Sequence, residues 1–268
     1  MRVVEVDRPN RVQRRQRGKS DTLDAVSAAR AALSGEAISE PKTRTGNVES
    51  IRVLRVARNS ARAQRTQTLN QIRSLVSTAP DELRARLRDL SITQLVKVTA
   101  AVRPADSTDP MSITKLTLRM LARRVRSLDA EILDIDRLLT PLVAQTAPKM
   151  VARHAVGTDT AAPILIAAGD NGRRIRSDAA LARMLGAAPI PTGSGKTDGH
   201  VRLHRGGDRQ GNAALWRIVL VRMSNDPRTK AYVERRSKEG LTKKEIMRCL
   251  KRYVVRELYA CLPDEMTC

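Results

Sequence analysis

The chain has 268 residues, 41% of them hydrophobic, which suffices for one large core or two modest ones and excludes a disordered chain. With no Phe, one Trp and three Tyr, the interior must be built from Leu, Ile, Val, Ala and Met, which favours helices over a β-sandwich. Fifty Lys and Arg against 28 Asp and Glu leave a formal charge of +22, a field that concentrates polyanions and makes nucleic acid the first candidate partner.

The opening MRVVEVDRP alternates apolar and polar residues up to Pro9 and predicts one short strand, whose partners must come from elsewhere because a lone strand is unstable. A dense basic loop, NRVQRRQRGKSD, follows. SDTLDAVSAARAAL predicts a helix with Ser20 or Asp21 as N-cap and Gly35 just past its end. Asp21 and Asp24 lie three apart in its first turn and project to one side. Two such carboxylates suit Mg²⁺, but acids in a first turn also favour the helix dipole, and the spacing alone leaves both readings open.

Residues 47–78 predict a long amphipathic helix. Val48, Ile51, Leu54, Leu69, Ile72 and Val76 mark its apolar face, while Arg52, Arg55, Arg58, Arg62 and Arg65 recur along the other, either as a solvated face or as a nucleic-acid backbone contact. Residues 81–104 read as helical up to Pro104, and PADSTDP as a linker. Leu118, Leu121, Val125, Leu128, Ile132, Ile135 and Leu139 then alternate three and four apart. This heptad seam predicts a coiled coil, formed either between chains or against residues 47–78 of the same chain.

From residue 149 short helices alternate with Gly-rich turns. HAVGTDTAAPILIAAGD resembles a helix-hairpin-helix, in which a turn at Gly157 offers backbone N–H groups to a DNA phosphate. RSDAALARMLG predicts a short helix capped by Ser177, and RGGDRQGNAALWRIVLVRM another with Asp208 near its start. The last helix carries a capping box, Thr242 with Glu245, a staple of Leu241 and Ile246, and a buried stripe of Ile246, Leu250, Tyr253, Val254 and Leu258. Cys249, Cys261 and Cys268 are odd in number and lack metal-ligand spacing, as expected in a reducing compartment. No apolar run reaches transmembrane length and none follows Met1, which predicts a soluble cytoplasmic protein with no membrane partner.

The GSGKT of PIPTGSGKTDGH suggests a phosphate-gripping loop, but that loop needs a glycine where Ile190 stands and should leave a buried strand, whereas a helix and two prolines precede it. Ser194 instead lies between two glycines, which allow its hydroxyl to be presented in a cleft among Lys196, Arg202, Arg205 and Arg209. Such a serine is either a nucleophile, given a base or a neighbouring charge, or part of a flexible Ser-Gly loop. His200 and His204 are four apart in a segment that does not read as helical and has no third ligand, so zinc is not expected there, and a role for either as a phosphate contact or proton carrier stays open.

With these residues in view, the chain resembles the DEDD-type transposases of the insertion sequence one-ten family. The likeness is carried by RGKSDTLDAVSAARAAL, AAGDNGRRIRSDAALARMLGAAPIPTGSGKT, RGGDRQGNAAL and MSNDPRTKAYVERR, and extends to about residue 262. The resemblance implies a mainly α chain in three parts. These are the C-terminal remnant of a RuvC-like (ribonuclease H-like) α/β domain in 1–78, a helical coiled-coil region in 79–148, and an all-helical transposase domain with a helix-hairpin-helix-like element in 149–262.

It further implies that Asp21 and Asp24 are the last two acids of a Mg²⁺-binding tetrad, and that Ser194 attacks DNA and forms a covalent serine–DNA link. Lys196, Arg202, Arg205, Arg209, Gly157, Arg52, Arg55, Arg58 and Arg62 would then contact DNA. The implied partners are the element's ends and target DNA, a structured guide RNA, and further copies of the chain in a dimer or tetramer assembled through the coiled coil. The setting would be the bacterial cytoplasm, at the nucleoid. The first Asp and the Glu of the tetrad are expected on strands before residue 1, so the chain reads as N-terminally truncated. The alternative is a catalytically inactive DNA- or RNA-binding remnant.

Overall fold

The computed structural model describes residues 3–6, 18, 20–35, 39–193, 195, 201–204 and 206–263. They are mainly helical, as the composition requires. The chain falls into two compact units, residues 50–142 and residues 1–49 with 143–268, a division that cuts across the three consecutive parts expected from the sequence.

The 50–142 unit is built on two long helices, α2 (Asn47–Ser77) and α5 (Pro110–Thr146), joined by the short α3 (Asp81–Leu87) and α4 (Ile92–Ala101). Ser91 and Gln94 start α4 with a reciprocal capping box, the Ser91 N–H donating to Oε1 of Gln94 at 3.0 Å. Asp109 starts α5 by accepting from the N–H groups of Met111 at 2.9 Å and Ser112 at 3.0 Å. The Ser112 hydroxyl and N–H, with the Ser107 hydroxyl, hold its carboxyl below the usual carboxylate range. Ile72 and Val76 of α2 share one core with Leu83, Leu87, Leu95 and Ala100, and with Leu118, Ala122 and Val125 of α5. The first repeats of the heptad seam are therefore covered within the chain by α2, in line with the intrachain alternative.

Farther along the same pair, Arg58 Nη2 donates to Asp136 Oδ2 at 3.2 Å, and Arg65 pairs with Asp129. Seven residues forward on α2 correspond to seven residues back on α5, so the helices run antiparallel with a heptad register. The expected division of α2 into an apolar face and an arginine face does not hold at every position. Arg55 and Arg58 are buried, and both fall on the heptad line of Ile51, Ile72 and Val76. Of the stripe, Arg62 is exposed and Arg52 and Arg65 are half-buried.

In the other unit, residues 3–6 form no multi-residue strand; Glu5 makes one isolated bridge, its N–H donating to the Ser39 carbonyl at 2.7 Å. Helix α1 (Asp21–Leu33) is capped by Ser20, whose side chain accepts from the Leu23 N–H at 3.2 Å, and it buries no residue. The start of α2 and the segment before it are held by residues 166–171. Lys42 Nζ donates to the Ile166 carbonyl at 2.6 Å, Asn171 Nδ2 to the Pro41 carbonyl at 3.0 Å, and the Val48 N–H to Asp170 Oδ1 at 2.9 Å. Burial and the nearby Arg174 guanidinium lower the pKa of Lys42.

Next come α6 (Pro148–Val151), α7 (Thr158–Ala168), a 3₁₀ turn at Gly172–Arg174, α8 (Asp178–Met184), strands β1 (Pro189–Pro191) and β2 (Val201–Leu203), and helices α9 (Arg209–Asn225), α10 (Pro227–Lys238) and α11 (Lys243–Tyr259). Helix α7 is apolar on nearly every side and is buried accordingly, with Ile164 and Leu165 fully enclosed. Helix α9 packs against α7, α10 and α11 through Ala214, Leu215, Ile218 and Val219. Thr242 and Glu245 form the expected capping box of α11, and Ile246, Leu250, Val254 and Leu258 are buried. Tyr253 is not part of that stripe: it is 51% exposed and meets the ring of Tyr232 edge-on at 5.7 Å. Lys251 and Val255 take the buried places instead, because the face that meets α8 and α9 is wider than one heptad line.

Candidate functional site

Strands β1 and β2 pair antiparallel, with Pro189 opposite Leu203, Ile190 opposite Arg202 and Pro191 opposite Val201. The strand at 189–191 was not expected, since two prolines in three residues remove two of its three N–H donors. Alternation resolves the conflict. The His204 N–H donates to the Ala188 carbonyl at 2.9 Å, so Ile190 and Arg202, two residues along, fall in the same hydrogen-bonded phase. Pro189 and Pro191 then occupy the positions where the ladder needs no donor. Residues 192–200 connect the paired ends.

The base of this strand pair is made by close backbone approach. Gly186 ends α8 with φ +64°, a conformation open mainly to glycine. Gly207 crosses it so tightly that a Cβ added there would lie 2.0 Å from the Gly186 nitrogen. One residue on, the Asp208 N–H donates to the Met184 carbonyl at 2.6 Å, and Asp208 Oδ1 caps α9 by accepting from the Gly211 N–H at 2.6 Å. Gly211 has no room for a side chain beside Leu185. Asn212 closes the arrangement: its Nδ2 donates to the carbonyls of Leu185 at 2.7 Å and Gly186 at 3.0 Å, and its Oδ1 accepts from Lys251 Nζ at 2.8 Å. The GGD-x-x-GN run is thus a scaffold for the two chain segments that flank residues 192–200.

Of the residues expected in a basic cleft, Arg202 lies on β2 and Arg209 opens α9, both exposed and both near this base. Ser194, Lys196, Arg205 and His200 lie outside the described residues. His204 is half-buried, and its Nδ1 accepts from the Gly206 N–H at 3.3 Å. Gly157 is exposed and N-caps α7, but its own N–H already donates to Thr160 Oγ1 at 3.0 Å. The turn before it places Ala155 at φ +63°. Arg52, Arg55, Arg58 and Arg62 belong to the other unit, where Arg55 and Arg58 are interior to the helix pair rather than on its surface.

Asp21 and Asp24 stand in the first turn of α1. Their oxygens are hard donors of the type Mg²⁺ takes, but among the described residues no group of three or more His, Cys, Asp or Glu side chains comes together to hold a metal ion. The pair fits as part of a site and does not complete one.

Asn212, Lys251 and Gly207 were not singled out from the sequence, and Gly186 only as the residue that stops a helix. The paired glycines of RGGD and the glycine ending RMLG carried a signal for close backbone approach. Lys251 carried none, because a lysine on a charged helix reads as solvated.

Residues 153–234 match a family model described as "Transposase IS116/IS110/IS902 family". The chain is 30% identical over 146 residues to the "Insertion element IS900 uncharacterized 42 kDa protein" of Mycobacterium paratuberculosis, a match covering 54% of this chain and 37% of that protein. It is 32% identical over 117 residues to the "Insertion element IS110 uncharacterized 43.6 kDa protein" of Streptomyces coelicolor, covering 44% of this chain and 29% of that protein. The matches span about a third of the length of these curated relatives. The strand pair and its glycine base lie within the residues that match this family model. Over this domain the chain is similar to the IS116/IS110/IS902 family of transposases.

Proposed function

We propose that the chain takes part in DNA strand transfer for an insertion element, with Ser194 as the nucleophile. The observation that carries this reading is the base at Gly186, Gly207, Asp208 and Asn212, which fixes both ends of the glycine-flanked segment holding Ser194, within the matched family domain. In the reaction the Ser194 Oγ–H gives up its proton, an Oγ–P bond forms, and the P–O bond to the leaving sugar oxygen breaks. That oxygen takes up a proton, so the exchange of one phosphodiester for another needs no oxidant or reductant. Arg202 and Arg209 would neutralise charge on the strand, and an electrostatic contribution of this kind is worth a few kcal/mol at a phosphoryl centre.

Asp21 and Asp24 would hold part of a Mg²⁺ site completed by oxygen ligands the described residues do not supply, and the metal would supply charge neutralisation at the phosphate. The charge of +22 supports a protein that holds DNA, with a structured RNA as guide. The 50–142 helical unit is proposed as the assembly element of a homo-oligomer.

The test is to incubate the chain with DNA bearing the element's ends, the structured RNA and Mg²⁺, and to look for a protein–DNA adduct. The adduct is expected from the wild-type protein and absent from Ser194→Ala. An undiminished adduct from Ser194→Ala rules out the serine. Salt-dependent DNA binding with no adduct at any Mg²⁺ concentration means that the chain binds without cutting.

A further inference from the structure

We infer that Lys251 and Asn212 form a positioning pair that fixes the base of the β1–β2 segment, where the chain segments flanking residues 192–200 cross. The link to chemistry rests on the proposal that Ser194 is the nucleophile; the structural part stands without it.

An asparagine amide presents an acceptor on one side and two donors on the other, and only its neighbours decide which way it faces. Lys251 decides it here. An ammonium has donors and no acceptor, so the atom of Asn212 it meets at 2.8 Å must be Oδ1. That choice turns Nδ2 onto the Leu185 and Gly186 carbonyls, at 2.7 and 3.0 Å. Those carbonyls lie where the chain leaves α8 for β1, at the place where Gly207 crosses on the way from β2 to α9. One lysine on α11 therefore reaches, through one amide on α9, the crossing of the two segments that flank Ser194.

The location of Lys251 has a cost that packing does not explain. It is 9% exposed, and burying an ammonium is unfavourable by several kcal/mol unless it is well satisfied. Burial lowers its pKa, and Asn212 Oδ1 is the acceptor that meets it. An apolar residue there would match Val254 and Val255 beside it. What the ammonium supplies and a methyl group cannot is the orientation of Asn212. Rigid placement of the ends of a reactive segment is a large factor in such chemistry, since a misplacement of about 1 Å can cost about a hundredfold in rate.

The test uses four variants of the full chain, Lys251→Met, Lys251→Arg, Asn212→Asp and Val219→Ala. Hydrogen exchange is read at the His204 and Asp208 N–H groups, which bond across the base, and at Ile218 and Val254 in the core of α9 and α11. Lys251→Met and Asn212→Asp are expected to speed exchange at His204 and Asp208 by about tenfold or more relative to the core sites. Lys251→Arg, which keeps a donor-only cation, should stay within about threefold of wild type. Asn212→Asp is the sharper probe, because it keeps an attraction to Lys251 while removing the donor to the two carbonyls. Val219→Ala lowers stability without touching the base and should leave the relative exchange unchanged. Uniform acceleration, or none, overturns the positioning pair.

The second readout is the adduct. Lys251→Met should slow its formation about tenfold or more with the dissociation constant for DNA within about threefold, and Lys251→Arg should restore the rate. An unchanged rate, or a loss matched by weaker DNA binding, overturns the link to chemistry. If the wild-type chain forms no adduct, or Ser194→Ala forms it undiminished, the nucleophile assignment fails and the exchange result still decides the positioning pair.

Discussion

Arg58 on α2 and Asp136 on α5 form an ion pair inside an antiparallel helix pair, with the Arg58 guanidinium largely buried. The pair lies one heptad from the more exposed Arg65–Asp129 contact, so each is a mark of the same register. Removing Asp136 takes a carboxylate away from a buried cation, whereas the outer pair is mostly screened by water.

Asp136→Ala is therefore expected to destabilise the protein by about 2 kcal/mol, and Asp129→Ala by less than about 1 kcal/mol, as read by urea denaturation. The double variant Arg58→Leu with Asp136→Leu should recover most of the loss, since it removes both charges and keeps the apolar seam. Equal losses at 129 and 136 would mean that burial of Arg58 is not what distinguishes them.

The glycines around the site should respond very differently to one added methyl group. At Gly207 the new Cβ would lie 2.0 Å from backbone, and Gly207→Ala is expected to cost about 3 kcal/mol and abolish adduct formation. At Gly157 nothing lies within 4 Å and φ is −117°, so Gly157→Ala should change stability by less than about 1 kcal/mol. Thermal unfolding of the two variants side by side checks the contrast.

Ala155 adopts φ +63° in the turn between α6 and α7, where glycine would avoid the clash of Cβ with the backbone. Ala155→Gly is expected to stabilise the protein by about 1 kcal/mol despite the greater freedom of glycine in the unfolded chain. A fall in melting temperature would contradict this account of the turn.

Asp226 caps α10, its carboxylate accepting from the Thr229 hydroxyl and from the Thr229 N–H at 2.9 Å. These bonds hold its pKa below the ordinary value of 3.8. Because the folded pKa is the lower one, the contribution of Asp226 to stability is complete above that ordinary value and disappears as pH falls through the folded pKa. Asp226→Asn should flatten the fall in stability between about pH 5 and about pH 2 and leave the alkaline side unchanged. An acid limb as steep as wild type would assign it to other carboxylates.

Much of this fold was legible in the sequence because its signals are local. The Thr242–Glu245 box, the Ser177 and Asp208 caps and the heptad run in α5 each depend on residues within a few positions of one another. What escaped depends on partners far along the chain. The acid that draws Arg58 inward lies 78 residues away, so the arginines read as a surface stripe. Lys251 is buried because Asn212, 39 residues earlier, meets it. Pro189 and Pro191 argued against a strand until the phase of pairing with β2 was known.

Those two prolines also govern what the strand pair can join. Their nitrogens face away from β2, on the open side of β1, where a third strand would look for donors and find none at alternate positions. On the β1 side the ribbon can therefore neither grow into a wider sheet nor template the edge of a neighbouring molecule, even though it is short and partly apolar. A partner that engages this side must be gripped by side chains or by carbonyl oxygens, and β-augmentation is closed to it.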